Sequence, residues 1–175
     1  MEPKPAADSR AEITHWMGVT DANSAGNIHG GTIMKLSDEA AALAAIKHAR
    51  RRVVTVGIDR MDFLVPIYVG ELVTFRASVN AAWHTSMEVG VRVEAENPSI
   101  GTRRHTNTAY LTMVALDEAG RPAPVAPIQA TTPAEQRRMR EAELRRANRL
   151  AEREEIVARR AQETEGEHAE ETGGS

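Results

Sequence analysis

Asp38 is the residue whose chemical type agrees least with its neighbours. It lies within Gly26–Arg50, GNIHGGTIMKLSDEAAALAAIKHAR. Met34 stands four residues before it, and Ala41 and Ala42 stand three and four residues after it. No cation is at helical pairing distance, whereas the adjacent Glu39 has Lys35 four residues back. Two readings stay open. If the Met34–Ala41–Ala42 face is buried, Asp38 is an unpaired carboxylate in apolar surroundings, a costly arrangement enriched at functional sites. If that face meets water, Asp38 is a surface residue of an amphipathic helix. Just upstream is a polar, glycine-rich turn with Asn27, His29, Gly30 and Gly31. No metal ligand set is apparent. The chain has no cysteine, and His15, His29, His48, His84, His105 and His168 show no pairing at zinc-site spacing.

The elements that must position these groups follow from pattern. Thr32–Ala49 has no proline or internal glycine and is rich in helix formers, so it reads as one uninterrupted helix. Ala40, Ala41, Ala42, Ala44 and Ala45 leave little bulk, which lets neighbouring backbone come close, as a helix wrapped inside a sheet requires. Arg50, Arg51 and Arg52 follow it, either complementing the helix dipole or contacting phosphate. Ile13–Met17 reads as a short strand and Val19–Gly26 as a loop of turn formers feeding the helix.

Val53–Phe63 reads as a strand with Val54, Val56 and Ile58 on one face and Thr55, Gly57 and Asp59 on the other. Pro66 and Gly70 interrupt the pairing. Leu72–Trp83 alternates cleanly, as does Met87–Glu96, where Met87, Val89, Val91, Val93 and Ala95 oppose Glu88, Arg92, Glu94 and Glu96. Arg103–Leu116 is the last strand of the set, after the turn Asn97–Gly101. Short connections give antiparallel neighbours, and the sheet's apolar face has one apolar helix to cover it. The expectation is an α+β fold, an antiparallel β-sheet wrapped around one long central helix.

At 175 residues one domain is expected, with an aliphatic core because aromatics are only 3%. A net charge of −3 argues for neither nucleic acid nor an anionic membrane. The absence of cysteine excludes disulfides and a cysteine nucleophile. No apolar run is long enough to span a bilayer and no hydrophobic signal region opens the chain, so a cytoplasmic protein is expected. Residues 1–11 read as a flexible lead-in, 12–132 as the folded domain, 133–163 as a charged helix and 164–175 as a disordered acidic tail.

The residues DANSAGNIHGGTIMKLSDEAA, then DFLVPIYVGE, then SMEVGVRVEAEN, resemble the hotdog-fold acyl-CoA thioesterases. They are most similar to the cytosolic acyl-CoA hydrolase group, which includes the brain acyl-CoA hydrolase and its short bacterial relatives. The resemblance covers about Ile13 to Arg149, with the three blocks in the family's order. It implies hydrolysis of fatty acyl-CoA to free fatty acid and CoA, with coenzyme A as part of the substrate and no cofactor. It also implies a homodimer with sheets joined edge to edge, commonly assembled into a hexamer. The family's active sites lie at the dimer interface. One protomer supplies an Asn from the turn, matching Asn27, and the other an Asp from the helix, matching Asp38.

On that resemblance, Asp38 is the general base that activates water, with a nucleophilic role also open. Backbone N–H groups at Gly30 and Gly31 hold the thioester oxygen, since a helix start presents unpaired donors. Asn27 positions the carbonyl or the water, and His29 packs, caps the turn or takes a proton. Thr85 and Ser86 are candidates to contact pantetheine, and Arg103 and Arg104 to meet phosphates; ordinary turn and strand-end positions explain both pairs equally. Asp59 and Asp62 are alternative carboxylates. Two other functions remain in view, a hotdog hydratase or dehydratase and a non-catalytic acyl-CoA sensor. The first needs an Asp–His pair in a motif not found here; the second carries a DNA-binding segment, also not found here.

Overall fold

The computed structural model describes residues 1–59, 61–63 and 65–172, with side chains described as far as Ala161. In chain order the elements are β1 (Lys4–Pro5), β2 (Ala11–Trp16), α1 (Gly30–Ala49), β3 (Val53–Ile58), β4 (Leu72–Ala82), β5 (Ser86–Asn97), β6 (Thr102–Ala115), β7 (Ile128–Gln129) and α2 (Pro133–Thr172). Five of the strands form one antiparallel sheet in the order β2-β4-β5-β6-β3.

The sheet curls around α1, which packs against all five of its strands. Ile33, Leu36, Ser37, Ala40, Ala41, Ala44, Ala45 and His48 are buried, a stripe at helical period. The alternating apolar residues of β4, β5 and β6 face this stripe and close the core, with Phe75, Val91 and Leu111 among them. The helix ends at Arg50, in the left-handed conformation (φ 55°), whose N–H reaches the Ile46 carbonyl.

The structure departs from the sequence expectations at four places. Residues 1–11 are packed rather than loose. β1 pairs with β7, Ser9 is buried, and its Oγ accepts the Val79 N–H at 2.9 Å. The regular alternation expected of β3 is broken by a bulge between Thr55 and Gly57. Thr55 stands opposite Met113 and Ile58 opposite Leu111, both core residues of β6, so Thr55 faces inward. The outward face of β5 is not solvated at Glu88, which is fully buried beneath α2. Finally, α2 runs on to Thr172, into the stretch expected to be a tail; residues 173–175 lie outside the described residues.

The start of α2 is built by a reciprocal cap. Thr132 Oγ1 accepts the Glu135 N–H, and Glu135 Oε2 accepts the Thr132 N–H. The helix then crosses the outer face of the sheet. Arg145 binds Glu88 through two nitrogens, at 2.6 and 3.1 Å, and Arg149 binds Asp59 at 2.6 Å. Asn80 donates to Glu88 at 3.2 Å and fills the space where a Cβ on Gly90 would lie, 2.6 Å from it. A side chain at position 90 would therefore push the Asn80 amide off Glu88.

Candidate active site

A cavity of about 280 Å³ opens at the N-terminus of α1. Asn23, Asn27 and Gly30 form its polar side; Ile33, Phe63 and Ile67 form its apolar side. The turn is held by a small network. Asn23 Oδ1 accepts the N–H groups of Ala25 (2.9 Å) and Asn27 (3.3 Å). Because Oδ1 is held by two donors, the Nδ2 end of Asn23 is the one left facing outward. The Ile28 N–H reaches the Ile67 carbonyl at 2.8 Å, tying the turn to the loop on the far wall.

His29 caps the helix. Its Nδ1 accepts the Gly31 N–H at 3.0 Å, so the ring carries its proton on Nε2 in this role. The Gly31 N–H is therefore occupied. Gly30 lies in the first turn, where the helix supplies no acceptor for its N–H. Gly30 is the better placed of the two to receive an oxygen from outside.

Asp38 is not among the residues lining this cavity. It lies two turns further along α1, about 12 Å from Gly30 at 1.5 Å per residue. It is half-buried beside the bulged edge strand, and its Oδ1 accepts the Thr55 hydroxyl at 2.5 Å. Neither sequence reading of Asp38 was complete, because its partner is a hydroxyl from another element. Val56, 59% exposed, and Ile58 leave apolar surface along the same edge.

The other candidates are scattered. Arg103 is paired with Glu96. Arg104 binds Glu71 through both nitrogens, at 2.7 and 2.8 Å, and also donates to the Pro66 carbonyl. The Arg104 guanidinium is the main reason the Glu71 carboxyl is held below its usual range. Both arginines are thus engaged by carboxylates, and Arg104 braces the loop that walls the cavity. Thr85 and Ser86 lie at the other end of the sheet: the Thr85 carbonyl accepts from Ala115, beside Arg52 and the C-terminal end of α1. Asp59 is paired with Arg149, and the Asp62 carbonyl accepts from Asn107 Nδ2 at 2.6 Å. Asn107, Asn23 and Thr55 were missed. Only Asn23 carried a local signal, as the polar residue of a turn; the other two are defined by contacts between distant segments. Among the described residues no group of side chains could hold a metal ion, and no helix is long and apolar enough to cross a membrane.

Residues 25–102 match the model of the thioesterase superfamily. A solved structure of an apo-hexameric acyl-CoA thioesterase superposes with a TM-score of 0.84 at 39% identity, covering 87% of this chain and 97% of that one. This chain belongs to the hotdog acyl-CoA thioesterases. The thioesterase is also 36% identical, over 71% of its length and 72% of the relative's, to the uncharacterized acyl-CoA thioester hydrolase YkhA of Bacillus subtilis. It is similar as well to the acyl-CoA hydrolase of Staphylococcus aureus, solved with butyryl coenzyme A and coenzyme A. That structure superposes with a TM-score of 0.81 at 34% identity, covering 87% of the thioesterase and 93% of the relative. Further structures of the S. aureus enzyme carry single alanine substitutions of an asparagine, an aspartate and a threonine.

Proposed function

We propose that this thioesterase hydrolyses acyl-CoA at sites built between two protomers, with Asp38 of one facing the α1 N-terminus of the other. The observation that carries this reading is the separation of the two halves: within one chain the glycine turn and the carboxylate stand two helical turns apart. Asp38 lies instead at the open edge of the sheet, next to the exposed Val56 and Ile58. A second copy joined along β3 satisfies the strand edge and covers this apolar surface. The hexameric relative supports assembly beyond a single chain.

In this scheme water attacks the thioester carbonyl carbon while Asp38 takes its proton. Thr55 holds Oδ1 and leaves Oδ2 to meet the water. The tetrahedral oxyanion is received by the Gly30 N–H at the helix start. The C–S bond then breaks, and the proton passes from Asp38 to the departing thiolate. Attack by Asp38 itself, through an anhydride, uses the same geometry.

Asn23 is the better donor to the carbonyl than Asn27. Its Nδ2 faces outward, and its position agrees with the S. aureus enzyme, where the substituted asparagine lies fifteen positions before the substituted aspartate and the threonine seventeen after it. Asn23 and Thr55 stand at those offsets from Asp38. Asn27 lines the same cavity and pairs its backbone with Tyr68. Thr85 and Ser86 reach pantetheine only from a neighbouring subunit, being at the far end of a helix about 30 Å long.

Thiol release from acyl-CoAs of varied chain length, by wild type and Asp38→Asn, tests the reading. Turnover lost in the variant with the assembly intact is the expected result. Binding of acyl-CoA without turnover by wild type would make the protein a sensor instead.

A further inference from the structure

Asn107 has an unusual position. It lies on β6 opposite Val93, on the core face of the sheet, and is 3% exposed. It also lines the cavity at the α1 N-terminus, among Ile33, Phe63 and Ile67. Its Nδ2 donates to the Asp62 carbonyl at 2.6 Å. That contact fixes the amide orientation, because a carbonyl oxygen can only accept. Oδ1 is then left buried without a hydrogen-bond partner among the described residues. The tie to Asp62 explains why an amide is present; it does not explain an acceptor left unpaired on a residue that lines the cavity. A buried acceptor of this kind disfavours an apolar occupant and favours one that brings a donor.

We propose that Asn107 is a specificity-determining residue whose Oδ1 selects acyl groups carrying an O–H donor along the chain. The inference rests on the reading that the acyl group enters this cavity from the thioester site at Gly30. A hydroxyl on the acyl chain gives Oδ1 the donor it lacks. A plain saturated chain leaves the acceptor unpaired. Sites built to bond a substrate hydroxyl discriminate strongly against the analogue that lacks it. The walls of Ile33, Phe63 and Ile67 accept the remaining methylenes, so the substrate class is a short hydroxyacyl-CoA.

The test compares matched acyl-CoA pairs, with and without a hydroxyl at the second, third or fourth carbon, on the intact assembly. Wild type should show a kcat/KM at least about tenfold higher for one hydroxylated member than for its plain partner. Asn107→Leu should bring that ratio to about one. Asn107→Leu also loses the bond to Asp62, so its folding is checked first; a folded variant that keeps the wild-type ratio overturns the role of Asn107. Wild type that hydrolyses plain and hydroxylated members equally overturns the role of Asn107 and leaves thioester hydrolysis standing. Wild type with no turnover on any acyl-CoA overturns the reading beneath it as well.

Discussion

The Thr55 hydroxyl donates to Asp38 Oδ1 at 2.5 Å, from an edge strand to the helix beside it. Thr55 lies in regular register before the β3 bulge, opposite the core residue Met113, which turns its hydroxyl towards the helix. A hydrogen bond to a charged group contributes about 1.5–3 kcal/mol. Thr55→Val keeps the shape and removes the donor, so kcat should fall about tenfold or more with KM little changed. Thr55→Ser should recover most of the loss. Equal kcat for wild type and Thr55→Val would remove Thr55 from the site.

The proposed site, shared between protomers, predicts complementation. Asn23→Ala and Asp38→Asn proteins should each be nearly inactive alone. Dissociated, mixed and reassembled, they should regain up to about one quarter of wild-type activity, because random pairing makes that share of sites intact. No recovery from demonstrably mixed assemblies would place both residues in one subunit's site.

His48 sits in the core and makes the protein sensitive to mild acid. Its Nε2 meets the Ala126 carbonyl at 2.7 Å, and burial is the main cause that holds its pKa below the ordinary 6.5. The unfolded chain therefore binds a proton at a pH where the folded chain does not. Stability is full above about pH 6.5 and declines as the pH falls below it. Glu71, whose pKa is lowered chiefly by Arg104, adds its own loss only in the carboxylate range. Melting temperature followed from pH 8 to 5.5 should fall for wild type and change less for His48→Gln, which can still donate to Ala126.

Glu88 anchors α2, and its burial makes the anchor asymmetric. Arg145→Ala leaves the carboxylate buried without its bidentate partner and should cost about 3 kcal/mol. Replacing both residues with apolar side chains should cost much less. Urea unfolding of the single and double variants measures the difference, and equal losses would contradict the pairing.

Most of the architecture was legible because it depends on local pattern. The alternation of β4 and β5 and the unbroken run of α1 are properties of short windows, and the structure follows them closely. What escaped depends on partners far away in the chain. Ser9 is fixed by Val79, Thr55 by Met113 and Asp38, and Glu88 by Arg145. Arg103 and Arg104 looked available only because Glu96 and Glu71 lie on other segments. At the candidate site, the carboxylate and the glycine turn stood out by type, whereas the donor roles within the turn needed the Asn23 and His29 hydrogen bonds.

The four fully buried alanines of α1, at 40, 41, 44 and 45, hold the helix close to the sheet. Their methyl groups cannot be trimmed to make room without introducing glycine, and enlarging them forces the layers apart. The wall able to vary is opposite, where Phe63 and Ile67 belong to a connecting segment that can accept changes in bulk. On the proposed path of the acyl group into this cavity, redesign for longer chains begins with those two side chains and leaves the helix untouched.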